Sequence, residues 1–137
     1  MEFEKIKQDI LGKEYSLSIA FVGEKKIREL NKRYRNIDKP TNVLSFALYK
    51  DEGEIILCKN IIKKELKKFG RTFSQLVGYL VIHGMLHLKG FEHSSTMDKA
   101  QDFYFNKYDQ KYFRGNRCRV VHDTSRGRRI FKGRKKS

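Results

Sequence analysis

Apolar residues recur along this chain in two periods, and the switches between them mark out the elements. Within residues 2–11, Phe3, Ile6, Ile10 and Leu11 stand at helical spacing, and Gly12 follows as a stop. Residues 16–22 then alternate, with Leu17, Ile19 and Phe21 to one side and Ser18, Ala20 and Val22 to the other. Both sides are apolar or small, which predicts a strand near the interior of a sheet. Residues 24–34 return to the helical period, with Ile27, Leu30, Asn31 and Tyr34 on one face and charges on the other. A polar loop at 36–42 carries Pro40, the chain's single proline, which biases Lys39 away from helical angles. Residues 43–48 are a nearly continuous apolar run, hence a buried strand. A turn at 49–53, with Asp51 and Gly53, leads into a third strand at 54–58, its hairpin partner.

The second half is helical. Asn60 is the expected cap of a helix at 61–69, whose stripe is Ile61, Ile62, Leu66 and Phe69, closed by Gly70. Thr72-Phe73-Ser74-Gln75 is a capping box. The helix it launches holds Leu76, Val77, Leu80 and Val81 and is apolar nearly all round, so it belongs at the buried centre. Residues 95–113 predict a last helix with Met97, Ala100, Tyr104 and Tyr108 on one stripe and Phe103 and Phe105 beside it, more plausible as core than as a base-stacking platform. The order helix, strand, helix, strand, strand, helix, helix, helix predicts an α/β (α+β) domain: a small mixed sheet of three to four strands covered by helices, with one buried central helix.

Past Gly115 the periodicity is lost. Residues 114–137 contain seven Arg and three Lys against one Asp, a surplus of nine out of a net charge of +15. The division predicted is one domain at 1–113 and a basic, disordered extension at 114–137. Arg126, Arg128, Arg129, Lys132, Arg134, Lys135 and Lys136 are its candidate nucleic-acid contacts, since so long a run of one sign attracts polyanions, RNA foremost. Composition narrows the rest. No apolar run reaches the length of a membrane span, and the acidic start, Met1-Glu2-Phe3-Glu4, lacks the features of a signal peptide. Cys58 and Cys118 form neither a disulfide framework nor a Cys-x-x-Cys pair, so a reducing, cytoplasmic compartment is expected, with no membrane and no small-molecule cofactor.

The candidate chemistry sits at the end of the central helix. His83 and His87 are four apart, so both rings leave one helical face. Gly90 is the expected helix stop, after which the chain can return His93 to the same point. Three imidazoles on one side of a metal leave the other side open, the arrangement of catalytic zinc, whereas structural zinc is closed by four ligands. The spacing is that of the metzincin pattern His-Glu-x-x-His-x-x-Gly-x-x-His, which makes the helix zincin-like, but Gly84 stands where those proteases carry their general base. His122 has no partner at ligand spacing and is assigned no role.

His83-Gly84-Met85-Leu86-His87-Leu88-Lys89-Gly90-Phe91-Glu92-His93 resembles the signature of the YbeY family, departing at Phe91 for tyrosine and Glu92 for aspartate. Upstream, Leu30-Asn31, Tyr34-Arg35, the run from Asp38 to Phe46, and Gly53-Glu54-Ile55 are similar to that family's second block and its Gly-Asp-Ile. The resemblance spans about residues 16–112. It implies a single-domain, single-strand-specific, zinc-dependent endoribonuclease in the bacterial cytoplasm, acting on ribosomal RNA precursors at the 16S 3′ end and in ribosome quality control on the small subunit. It also implies a strand ahead of the first helix, and little chain precedes that helix here.

Zinc on three neutral imidazoles lowers the pKa of its water to about 7, so that either this water attacks a phosphodiester or the metal polarises it as a Lewis acid. Negative charge then builds on the phosphate. Arg35, at the end of the second helix and matching an arginine the family places near its metal, is the candidate to stabilise it. Glu92 is a candidate general base or partner of an imidazole. Thr41 and Ser45 are weaker candidates for phosphate contact. The alternative reading is a ribosome-associated RNA-binding factor with a structural zinc and no cutting activity. A hydrolase of another ester or amide bond is disfavoured in its protease form by Gly84.

Overall fold

The computed structural model describes residues 3–113. The 114–137 extension expected from the sequence, with its arginines and lysines, Cys118 and His122, lies outside the described residues. Helix α1 (Glu4–Ile10) leads to strand β1 (Ser16–Phe21), helix α2 (Glu24–Arg35) and the hairpin of β2 (Val43–Tyr49) with β3 (Glu52–Leu57). Two short helices, α3 (Lys59–Lys64) and α4 (Leu66–Phe69), precede the long α5 (Phe73–Lys89) and α6 (Ser95–Tyr108). A π-helical turn at Asp109–Phe113 closes the described chain.

The sheet is mixed, in the order β1-β3-β2, with β1 parallel and β2 antiparallel to β3. From β1 the chain crosses over α2 to the far edge and folds back into the middle. β3 is therefore the central strand, and its Ile55, Ile56 and Leu57 are fully buried. This corrects the placing of residues 16–22 in the sheet interior: β1 is an edge strand among the described residues, with Ser16 and Ser18 exposed. Its small and apolar residues come from packing at one end, where Ala20 and Phe21 are buried.

Alternation along β3 splits the core between the two faces of the sheet. Ile55 and Leu57 pack with Phe21 and with the buried sides of α1, α5 and α6. Ile56 packs with Ala20, Leu44 and Phe46 under Ile27 and Leu30 of α2. Helix α5 is the central element, buried on every side along most of its length from Leu76 to Leu86. Its capping box forms as the sequence predicts: Thr72 accepts from the Gln75 N–H and Gln75 accepts from the Thr72 N–H, both at 3.1 Å.

Two helical boundaries differ from the periodic pattern. The helix expected at 61–69 begins two residues earlier and breaks at Glu65, and Asn60 lies inside it rather than capping it. The last helix turns π-helical at Asp109, and its buried stripe is Met97, Gln101 and Phe105 rather than the line through Ala100 and Tyr104. Among the described residues no helix is long and apolar enough to cross a membrane.

Candidate metal centre and cleft

Each functional side chain is delivered by a local rule. Asn36 takes the left-handed conformation, with φ 62°, and ends α2 so that Arg35 is its last residue. Buried Asn31 donates to the Lys39 carbonyl at 2.8 Å and holds the loop that carries the chain from α2 to β2. On α5, Gly90 adopts φ 115°, a conformation that suits glycine, and the Phe91 N–H bonds back to the Leu86 carbonyl at 3.0 Å. This reversal brings His93 back over the helix face of His83 and His87.

The three rings converge. Their centroids are 4.6 Å apart for His83–His87 and for His87–His93, and 5.3 Å apart for His83–His93. One nitrogen from each lies within 4.8 Å of the others. They border a cleft of about 390 Å³ between α5 and the edge strand β2. Val43, Ser45 and Ala47 line the β2 wall, His83, Gly84 and His87 the α5 wall, and Arg35 and His93 also face it.

Hydrogen bonds on the far side of the rings decide what the near side presents. Gln101 Nε2 donates to the Tyr79 carbonyl at 3.2 Å, which turns Gln101 Oε1 toward His83 Nδ1, also at 3.2 Å. An amide oxygen only accepts, so His83 carries its proton on Nδ1. His87 Nδ1 stands 3.1 Å from the Phe91 carbonyl and must donate there too. Both Nε2 atoms are then bare lone pairs, and they face each other at 3.2 Å. Two lone pairs cannot share a hydrogen bond, but they can share a cation. Two nitrogen ligands of tetrahedral zinc, each about 2.0–2.1 Å from the ion, stand roughly 3.3 Å apart, so the residues present fit the metal.

Electrostatics favour the neutral, ligating form of both rings. Burial pushes the His83 pKa down, against the raising effect of Gln101. Burial also pushes His87 down, followed by His83, with further contributions from His93 and the Arg35 guanidinium, against the Phe91 carbonyl. The Arg35 charge thus acts on His87.

Among the other sequence candidates, Ser45 lines the cleft, whereas Thr41 and Glu92 do not. Glu92 is exposed, and its carbonyl accepts from Ser94 Oγ at 3.1 Å. Gly84 has a steric explanation: a Cβ there would come within 2.9 Å of Ile55 Cδ1 on β3. Gln101 is the site residue that periodicity missed. It is a buried polar group four residues from Met97 and Phe105 on the core stripe, and a polar residue at that spacing was the available signal.

A family model described as endoribonuclease YbeY matches residues 1–109. The chain belongs to the YbeY family. An endoribonuclease YbeY of Staphylococcus carnosus is 38% identical over 112 residues, which cover 73% of this chain and 70% of that one. An endoribonuclease YbeY of Staphylococcus saprophyticus is 36% identical over 116 residues, covering 76% of this chain and 74% of its own. The solution structure of TM1509 from Thermotoga maritima superimposes with a TM-score of 0.61 at 32% identity, over 80% of this chain and 78% of that one. The YbeY assignment thus covers the sheet, α5 and the three histidines.

Proposed function

We propose that this protein is a zinc-dependent endoribonuclease that cuts single-stranded ribosomal RNA precursors. The proposal places it in the cytoplasm, in maturation of the 16S 3′ end and in quality control on the small ribosomal subunit. The observation that carries it is the pair of bare Nε2 atoms 3.2 Å apart, joined by His93, in a cleft that Arg35 also lines. Membership of the endoribonuclease YbeY family supports RNA as the substrate.

His83, His87 and His93 would hold one zinc per chain. When bound, zinc supplies Lewis acidity toward a phosphoryl oxygen and acidifies a coordinated water. The chain's own residues do the rest. Gln101 and the Phe91 carbonyl hold the Nδ1 protons outward, so that neither ring must shed a proton toward the cleft to act as a ligand. Arg35 offers a permanently charged, forked donor to the phosphate and stabilises the charge that accumulates on it during displacement. Glu92 stands outside the cleft lining, and no proton transfer is assigned to it. The basic extension at 114–137 adds sequence-independent phosphate contact, so removing residues 116–137 flattens the salt dependence of RNA affinity.

The test is cleavage of a single-stranded ribosomal RNA fragment, with metal content measured on the same preparation. Near one zinc per chain, cleavage lost on chelation and restored by zinc, and turnover lowered by about 10²–10³-fold in Arg35→Ala are the expected results. Stoichiometric zinc with tight RNA binding and no metal-dependent cutting would replace this reading with the non-catalytic, ribosome-associated one.

A further inference from the structure

Between β3 and α5, the chain runs through α3 and α4, two short helices whose charged residues are almost all of one sign. Lys59, Lys63, Lys64, Lys67 and Lys68 stand three to five residues apart or side by side, with one carboxylate, Glu65, among them. Like charges at helical neighbour spacing repel. Neither helix has a side-chain N-cap bond or an acidic residue in its first turn, whereas α5 and α6 are capped by Thr72 and Ser94.

The fold relieves this repulsion only in part. Lys63, Lys64, Lys67 and Lys68 are exposed. Lys64 reaches Glu24 at 3.4 Å, and the other four lysines make no ion pair among the described residues. Glu65, the one carboxylate of the segment, accepts from Asn42 Nδ2 at 2.9 Å through its Oε1. Lys63, Lys67 and Lys68, exposed and without an ion pair among the described residues, are open to an external anion.

The same Asn42–Glu65 bond locates the cluster. Asn42 is followed directly by Val43, which lines the cleft, so the lysine segment is tied to the chain where the β2 wall begins. Beside the lysines, Phe69 is 37% exposed with Lys68 Nζ 5.7 Å over its ring. Cations with an exposed aromatic face suit a single-stranded nucleic acid, whose phosphates and bases take the two kinds of contact.

We propose that α3 and α4 form an RNA-binding surface continuous with the cleft, on which the lysines hold phosphates of a strand leaving the cleft past Val43. This rests on the endoribonuclease reading and names where the substrate lies beyond the bond that is cut. Lysine contacts of this kind position the strand without reading its sequence.

The test combines Lys63→Ser, Lys67→Ser and Lys68→Ser in the full chain, leaving the Lys64–Glu24 pair in place. Affinity for a long single-stranded RNA is measured between about 50 and 200 mM salt. Three lost phosphate contacts flatten the slope of log affinity against log salt by about 2, at roughly 0.7 per phosphate. The thermal midpoint stays the same or rises, since repulsion is relieved. KM for the long RNA rises, while cleavage of a short oligonucleotide that fills only the cleft is unchanged. An unchanged salt slope in a variant whose wild-type parent binds and cuts RNA overturns the surface and leaves the endoribonuclease reading standing. A wild-type protein that neither binds nor cuts RNA overturns that reading, and the surface with it.

Discussion

The two faces of the sheet are built to different depths. On one face α1, α5 and α6 close a large core around Ile55 and Leu57, and His83 and His87 stand on the most deeply buried helix of that core. On the other face α2 covers Ile56, Leu44 and Phe46, with Ile61 of α3 beside it. Arg35 is the exposed last residue of that thinner layer. The cleft takes its ligands from the thick side and its fixed positive charge from the thin side. Metal ligands must be held to within a few tenths of an ångström, and a densely packed helix does this. A guanidinium that follows a flexible strand has less need of such support.

The largest effects come from the cores themselves. Ile82→Ala on the thick side and Ile27→Ala on the thin side each empty a fully buried site, and each costs about 2–5 kcal/mol in chemical denaturation. The comparison separates them by zinc affinity, which falls with Ile82→Ala and holds with Ile27→Ala. Equal losses of zinc in the two variants would break the distinction between the faces. Next in size is Arg35→Ala. Its expected outcome is a change in stability within about 0.5 kcal/mol and a fall in turnover of about 10²–10³-fold, measured on RNA at saturating zinc.

Gln101→Leu sharpens the role of the thick side. Removing the acceptor frees His83 to carry its proton on either nitrogen, and zinc affinity weakens by about 10–100-fold in a chelator competition. Nitrogen chemical shifts of the metal-free protein report the same change as a loss of the Nδ1–H form of His83. A merely structural role for Gln101 would leave those shifts in place.

The smallest effect is at the seam between α1 and α6. Asp9 accepts from Lys107 Nζ at 2.7 Å and from Tyr108 Oη at 2.6 Å. These bonds, Lys107 first, hold the Asp9 carboxyl below its usual value, while burial and Asp9 push the Tyr108 phenol up. A carboxyl with a depressed folded-state pKa contributes stability above its unfolded value of about 3.9, and the contribution drains away as the pH falls through the folded value. Asp9→Asn is expected to cost about 1 kcal/mol or less at pH 7 and nothing at the acid end of that window, read from denaturation midpoints at the two pH values.

Much of the thick side was legible in the chain because short-range rules govern it. The i, i+4 histidines, the stop at Gly90, the return of His93 and the capping box at Thr72 depend on residues within one or two turns of each other. What sequence could not supply depends on distant partners. The edge position of β1 follows from a crossover that inserts β3 beside it, and alternation within residues 16–22 carries no record of that. Gln101 looks like a surface residue until the His83 ring and the Tyr79 carbonyl are set on either side of it. Glu92 sits between two cleft-directed features in sequence, yet the turn after Gly90 leaves its side chain exposed. The break at Glu65 has no local signal, and the partner of the Glu65 side chain, Asn42, is 23 residues away.

The tight seating of α5 on β3 at Gly84 limits how this scaffold can change. A carboxylate beside the histidines is the feature that separates it from peptide hydrolases of the same spacing. Adding one is not a single mutational step, because any side chain at Gly84 meets Ile55 on another element. The change requires Ile55 to move or to shrink, and shrinking it alone opens a void in the thick core. A stepwise route through a smaller residue at position 55 therefore passes through a less stable intermediate. A designer would cross it by trimming the strand before touching the helix.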